Sequence, residues 1–492
     1  MISRLDYKWI VGIVFVFGLF MDLLDMTSVN VALPKLGEDL NVNREEAAST
    51  IQWVVTGYLL SLAVFIPVSG WAGDRFGTKR IFMIALFIFT SGSLLCALAW
   101  NIESLIAFRV LQGAGGGILT PVGTAMLFRA FPPEERAKGA AILMVPMVVA
   151  PASGPVLGGY LVEYHDWRWI FLINIPVGLL GLVFAGLFLR EEKQPSPGRI
   201  DIPGFILAAA GLASLIYALA EAGIDGFGSQ RVLAFGALGI GLLLLFGYQE
   251  IRTREPMIDM RLFGNRLFRT MNLAQIVGYS GMMGGLFLLP LLLQAEMGLS
   301  PFQSGLTTFP QAIGVVSMVQ IAGRIYNSVG PRRMMMAGML GSAITTLLFL
   351  LVDLETSQWW IRLIMLCRGW AFALVLIPIQ TATYATIRPH EMGRASAIFN
   401  ANRQVAASFG VALLATSLSN RLSAHGTTLG PPPIGNPVLA LDAFHEAFIV
   451  AAVLALLGVL AAAMISDREA TAMMRRAQAP VAEEEVTPVA AS

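Results

Sequence analysis

The chain has 492 residues, 56% of them hydrophobic and only 13% charged, against about 25% charged in an ordinary soluble domain. Its net charge of +1 suggests neither a nucleic-acid surface nor a polybasic lipid anchor. This is the composition of a protein that crosses a membrane many times. The first apolar stretch is too long for a signal-peptide core and has no small-x-small cleavage site behind it, so it is expected to stay as a spanning helix.

Stretches able to cross about 30 Å of hydrocarbon at about 1.5 Å per residue lie near 9–33, 51–70, 81–99, 104–127, 139–161, 169–189, 202–220, 232–249, 268–293, 301–323, 333–352, 359–384, 396–419 and 442–465. Fourteen spans put both termini on one side. Lysine and arginine favour the segments on that side by 24 to 6, with Arg109, Arg368 and Arg403 inside spans. The positive-inside rule therefore predicts cytoplasmic termini, in the cytoplasmic (inner) membrane.

The first span, WIVGIVFVFGLFMDLLDMTSVNVALP, contains Asp22 and Asp25. A charged side chain in mid-bilayer costs about 2.5–3.5 kcal/mol on insertion scales and reads by default as functional. Three residues apart, the two lie on nearly one helical face. A carboxyl that alternates between water and a dry interior changes its proton affinity and can bind and release a proton during a cycle. Asp22 is the expected cavity-facing, protonatable residue, with Asp25 its coupled or structural partner. If the two interact, they titrate as a pair.

Behind the second span stands GWAGDRFGTKR, with Gly70, Asp74, Arg75, Gly77, Lys79 and Arg80. GRIYNSVGPRR (323–333) echoes it behind the tenth, and Arg109 and Arg368 each sit a short way into the second span after such a turn. This weak repeat fits two related six-helix halves: residues 1–190 and 267–466, separated by connectors and an extra helix pair in 191–266 and followed by a cytoplasmic, disordered acidic tail, 467–492. QPSPGR (194–199) reads as a cytoplasmic connector and SAHGTTLGPPPIGNP (423–437) as an external loop. In PASGPVLGG (151–159), Gly154, Gly158 and Gly159 let helix backbones approach and Pro155 bends the helix. Cys96 and Cys367 lie in apolar runs and read as packing residues. There is no phosphate-binding loop, no His/Cys metal spacing and no G-x-S-x-G turn. No enzyme, cofactor or metal site is therefore expected.

The loop at 70–80 resembles the pattern G-x-x-x-D-R-x-G-R-[KR] of the major facilitator superfamily, with Thr78 in place of a basic residue. LIAFRVLQGAGGG (105–117) is similar to that family's fourth-helix pattern through Arg109, Gln112 and Gly113, and 151–159 to its fifth-helix antiporter pattern G-P-x-x-G-G. LDMTSVNVALP (24–34) and WRWIFLINIPVG (167–178) are similar to elements of the fourteen-helix drug:proton antiporters of the EmrB/QacA type.

The resemblance implies an all-α major facilitator fold, with two six-helix bundles plus two extra central helices. Asp25 matches the family's first-helix aspartate, and the implied packing of the fourth helix near the first offers Arg109 either Asp22 or Asp25 as a partner, so that Asp22, Asp25 and Arg109 are the expected proton-coupling residues, the arginine favouring proton release from the acid beside it. Asp74 is expected at the amino-terminal end of a helix in the other half, near Ser396, with Arg75 and its neighbours locking an outward-facing state. Asp22, Gln112, Asn400 and Arg403 are candidates for a substrate cavity. One departure is the lack of an acid well inside a second-half span, since Glu296, Asp353 and Glu355 fall near external ends. The implied function is proton-coupled export of amphipathic, cationic drugs or toxic compounds by a monomer, with a periplasmic adaptor protein left open as a partner. Alternatives are export of lipids, siderophores or anionic metabolites on the same fold, and a non-transporting membrane sensor.

Overall fold

The computed structural model describes residues 6–40, 47–132, 135–193, 200–253, 256, 258–429 and 435–467. The connector at 194–199, part of the loop at 423–437 and the tail from 468 lie outside the described residues. The apolar runs fold as helices: α1 Tyr7–Asp39, α2 Ala47–Phe76, α3 Thr78–Ala97, α4 Ile102–Ala130, α5 Arg136–Tyr164, α6 Trp169–Leu172, α7 Asn174–Phe188, α8 Ile202–Asp225 and α9 Gln230–Arg252. They continue as α10 Arg266–Leu291, α11 Pro301–Thr308, α12 Pro310–Val329, α13 Pro331–Leu347, α14 Gln358–Ala385, α15 Met392–Ala424 and α16 Pro437–Ala463.

Polar residues at the ends of the runs set the boundaries. The Asn101 side chain accepts the Ser104 amide at 2.9 Å while the Ser104 hydroxyl accepts the Asn101 amide at 3.2 Å. This reciprocal cap satisfies two amides that a helix start leaves open. Ser300 and Gln303 do the same for α11, and the Asp201 carboxylate accepts the Gly204 amide at the start of α8.

Thirteen stretches of the described residues are long and apolar enough to cross a membrane. The expected span at 139–161 falls in α5, a continuous helix of 29 residues that contains Pro146, Pro151 and Pro155 and is not counted among the thirteen.

The packing repeats. In the first half α1 lies on α5, α2 and α3 lie on α4, and α3 lies on α7; in the second, α10 lies on α15, α12 and α13 on α14, and α13 on α16. The turns repeat as well. Gly77 and Gly330 both take positive φ, 103° and 85°, the left-handed region that only glycine enters without strain. Two residues on, the Lys79 amide donates to Glu191 Oε1 at 3.1 Å and the Arg332 amide to Asp467 Oδ1 at 2.9 Å. Each half thus joins its central turn to a carboxylate just past its own last helix.

Two seams join the halves. Along one, α5 packs on α11, α12 and α14; along the other, α15 packs on α2 and α4. The inserted pair covers the second seam: α8 lies on α2 and α15, Trp53 of α2 stacks on Tyr217 of α8, and the Thr416 hydroxyl of α15 donates to the Ala222 carbonyl at 2.5 Å. Helix α9 packs chiefly on α8 and turns Leu238, Leu244 and Leu245 outward, as a lipid-facing helix does.

Candidate functional site

Asp22 and Asp25 share a face of α1 but have different surroundings. Asp25, 1% exposed, forms an ion pair with Arg109 Nη1 of α4. It also accepts the Gln112 side-chain amide at 3.0 Å and the Asn174 side-chain amide of α7 at 3.2 Å. Arg109 donates further to Gln112 Oε1 at 2.8 Å and to the Val54 carbonyl at 3.2 Å, and lies over the Tyr58 ring. Arginine does not lose its proton, so the Arg109 charge is fixed, and hydrogen bonds hold both members of the pair. Gln112 is wholly enclosed in this cluster.

Among the described residues no cation forms an ion pair with Asp22. It accepts hydrogen bonds from the Tyr58 hydroxyl of α2 and, at 3.1 Å, from the Thr120 hydroxyl of α4. The bare backbone of Gly116 gives it room: a Cβ there would stand 2.8 Å from Asp22 Oδ1 and 2.9 Å from the Tyr58 hydroxyl. Across the seam between the halves, α15 carries Arg403. Arg403 is half-buried. Asn400, one turn earlier on α15, is buried and donates to the Ser396 carbonyl at 2.9 Å.

Just beyond Asp25, α5 comes close to α1 at two glycines. A Cβ at Gly154 would enter the Thr27 side chain, and one at Gly158 would stand 2.9 Å from the Ser28 carbonyl oxygen. The Ser28 hydroxyl donates to the Gly154 carbonyl at 3.3 Å. Pro155 lies between the two glycines inside the helix. Gly159 faces the other way, toward the backbone of Phe302 on α11.

At the end of the molecule where α1 starts and α16 ends, the loop at 70–80 engages the second half. A Cβ at Gly70 would lie 2.6 Å from the Gly393 carbonyl oxygen, and a Cβ at Gly393 would lie 3.3 Å from both carboxylate oxygens of Asp74. Asp74 therefore sits against the first turn of α15, where partial positive charge favours a carboxylate. This helix starts at Met392, a turn before the expected Ser396, whose hydroxyl instead donates to the Pro121 carbonyl of α4 at 2.7 Å.

The arginine holding Asp74 is Arg129, at the end of α4. Its Nη2 lies 2.6 Å from Asp74 Oδ1 and its Nε donates to the Pro389 carbonyl at 3.0 Å, so one guanidinium ties α2 and α4 to the start of α15. Arg136 adds a bond to the Tyr384 carbonyl at the end of α14. Arg75 and Arg80 are exposed. Lys79 turns back into its own half, donating to the Gly186 and Leu189 carbonyls at 2.7 and 2.8 Å, where it caps the end of α7. In the sequence Arg129 is one basic residue among many at the end of an apolar run.

Two bundles built on one repeated plan, with polar groups buried midway along their helices and polar contacts between them, form the scaffold of a membrane transporter. The chain belongs to the Major Facilitator Superfamily, whose profile matches residues 15–411. It is 35% identical over 413 residues to an uncharacterized MFS-type transporter, YhcA, of Bacillus subtilis, covering 84% of this chain and 77% of that protein. Over 400 residues it is 36% identical to a multidrug resistance protein B homolog of Mycobacterium tuberculosis, covering 80% and 73%. Over 479 residues it is 33% identical to a putative multidrug resistance protein, MdtD, of Klebsiella pneumoniae, covering 95% and 96%. Among solved structures, the human organic anion transporter MFSD10 superposes with a TM-score of 0.68 at 17% identity over 92% of this chain and 99% of that one. The proton:xylose symporter XylE superposes with a TM-score of 0.62 at 16% identity, over 92% and 94%. At that identity the two structures speak for the fold alone.

Proposed function

We propose that the chain is a proton-coupled exporter of amphipathic, cationic drugs or toxic compounds, of the fourteen-helix EmrB/QacA kind, with α5 as the remaining crossing. The observation that carries this reading is the contrast between the two aspartates. Asp25 is saturated by Arg109, Gln112 and Asn174, whereas Asp22 is held by two neutral hydroxyls beside the seam. A hydroxyl can donate to a carboxylate or accept from a carboxylic acid, so Asp22 can change protonation without breaking its surroundings. An organic cation and a proton then compete for one carboxylate, which is the minimum an antiporter requires. The multidrug-resistance names of the relatives support the choice of cargo.

On this reading the protein is a monomer in the cytoplasmic membrane with both termini cytoplasmic. Residues 1–190 and 267–466 rock against each other about α5, and Asp74 and Arg129 hold the cytoplasmic side shut. A proton moving inward contributes about 2.3 kcal/mol per 100 mV. In everted vesicles, adding a transported cation should release protons from the wild type, and Asp22→Asn should abolish that release while the protein stays folded in the membrane. Undiminished release from Asp22→Asn would reject Asp22 as the coupling residue.

A further inference from the structure

The second bundle contains a buried charge that the mechanism above does not use. Arg368 lies in α14, the counterpart of α4, and is 1% exposed. Its Nη1 donates to the Thr346 hydroxyl of α13 at 2.9 Å, and its Cζ lies 5.2 Å from the centre of the Phe372 ring. The Nε is buried without a hydrogen-bond partner. No carboxylate among the described residues pairs with it, and α10, α12, α13, α14 and α15 contain no aspartate or glutamate anywhere in their sequences. The position facing the guanidinium from α10, the counterpart of α1, is Gly285. Where the first bundle sets Asp25 against Arg109, the second offers bare backbone.

An arginine in a protein interior keeps its charge, and a buried ion without a partner costs several kcal/mol. The Thr346 hydroxyl gives its own proton to the Ser342 carbonyl at 2.7 Å. It therefore orients the guanidinium without neutralising it. We propose that Arg368 is an anion-binding residue of the second bundle. Its unpartnered edge takes a monoanion, either chloride from solution or a carboxylate carried by an organic solute, in the place that Asp25 takes beside Arg109. Thr346 is a positioning residue. The proposal does not depend on the direction of transport or on the role of Asp22.

The test uses the full chain in lipid nanodiscs, with thermal unfolding followed in sodium gluconate, in sodium chloride, and in gluconate with added benzoate. A ligand that binds only the folded state raises the unfolding midpoint in a saturable way. The wild-type midpoint should rise with chloride, with benzoate or with both, and the rise should vanish in Arg368→Gln. A response to chloride alone assigns the solution ion, and a response to benzoate alone assigns the organic carboxylate. Gly285→Asp, which supplies an internal carboxylate, should unfold at a higher temperature than the wild type in gluconate and respond to neither anion. If Arg368→Gln does not fold, Gly285→Asp decides, and an undiminished anion response in that variant overturns the proposal. So does a wild type that responds to neither anion, or one whose response Arg368→Gln reproduces.

Discussion

Asp22 and Asp25 are separated by less than one helical turn, yet the structure predicts opposite consequences for their loss. Removing the Asp25 carboxylate strands Arg109 in a site where both members of the pair are almost fully buried, and breaking a buried pair costs about 3–5 kcal/mol. Asp25→Leu should therefore lower the thermal unfolding midpoint strongly, and adding Arg109→Met should restore much of the loss. In Asp22→Asn the amide can still bond Tyr58 and Thr120, so its midpoint should stay near the wild type while coupling is lost. If Asp25→Leu unfolded like the wild type, the buried pair would be no structural tie. Both acids were legible in the sequence because a charge inside an apolar run stands out in one dimension. Their difference was not, because Tyr58, Thr120, Gln112 and Asn174 arrive from three other helices.

Among the helices, the glycines set the distances. At Gly158 the backbone of α5 rests on that of α1, and at Gly70 the end of α2 rests on the start of α15. Overpacking such a contact costs about 1–3 kcal/mol. Gly158→Ala should lower the unfolding midpoint and slow exchange, read from melts and from proton flux in liposomes. Gly70→Ala should instead lengthen the distance between spin labels at the exposed Phe76 and His390, because its Cβ would be aimed at the Gly393 carbonyl. The glycine motifs were legible as close-approach sites, but the partner of each was not. Spacing within one helix says nothing of which neighbour it meets, and so Gly159 turns to α11 while Gly154 and Gly158 turn to α1.

For the whole molecule, the proposed alternation between states makes their balance depend on a few polar contacts across the seams. A carboxylate at a helix start contributes about 0.3–1 kcal/mol, up to about 2 when partly buried, and about 1.4 kcal/mol is a tenfold change in population. Asp74→Asn and Arg129→Gln should each shift the Phe76–His390 distance distribution severalfold toward separation. Arg75→Gln and Arg80→Gln, both at exposed positions, should leave it nearly unchanged; a shift there as large as for Arg129 would move the latch back to the loop itself. The all-helical, many-spanning fold was legible from the apolar runs. The latch was legible only in half, since Asp74 sat in a motif while Arg129 looked like any other basic residue at a helix end.

The paired turns at Gly77 and Gly330 have a consequence for origin. Each is tied to a carboxylate behind the last helix of its own half, Glu191 or Asp467, so neither half borrows from the other to close this corner. A six-helix unit that carries its own clasp can be duplicated whole and joined head to tail, and each copy is then free to change its interior. Each half thus closes this corner by itself, one around an interior with a carboxylate beside its arginine and the other around an interior with glycine in that place.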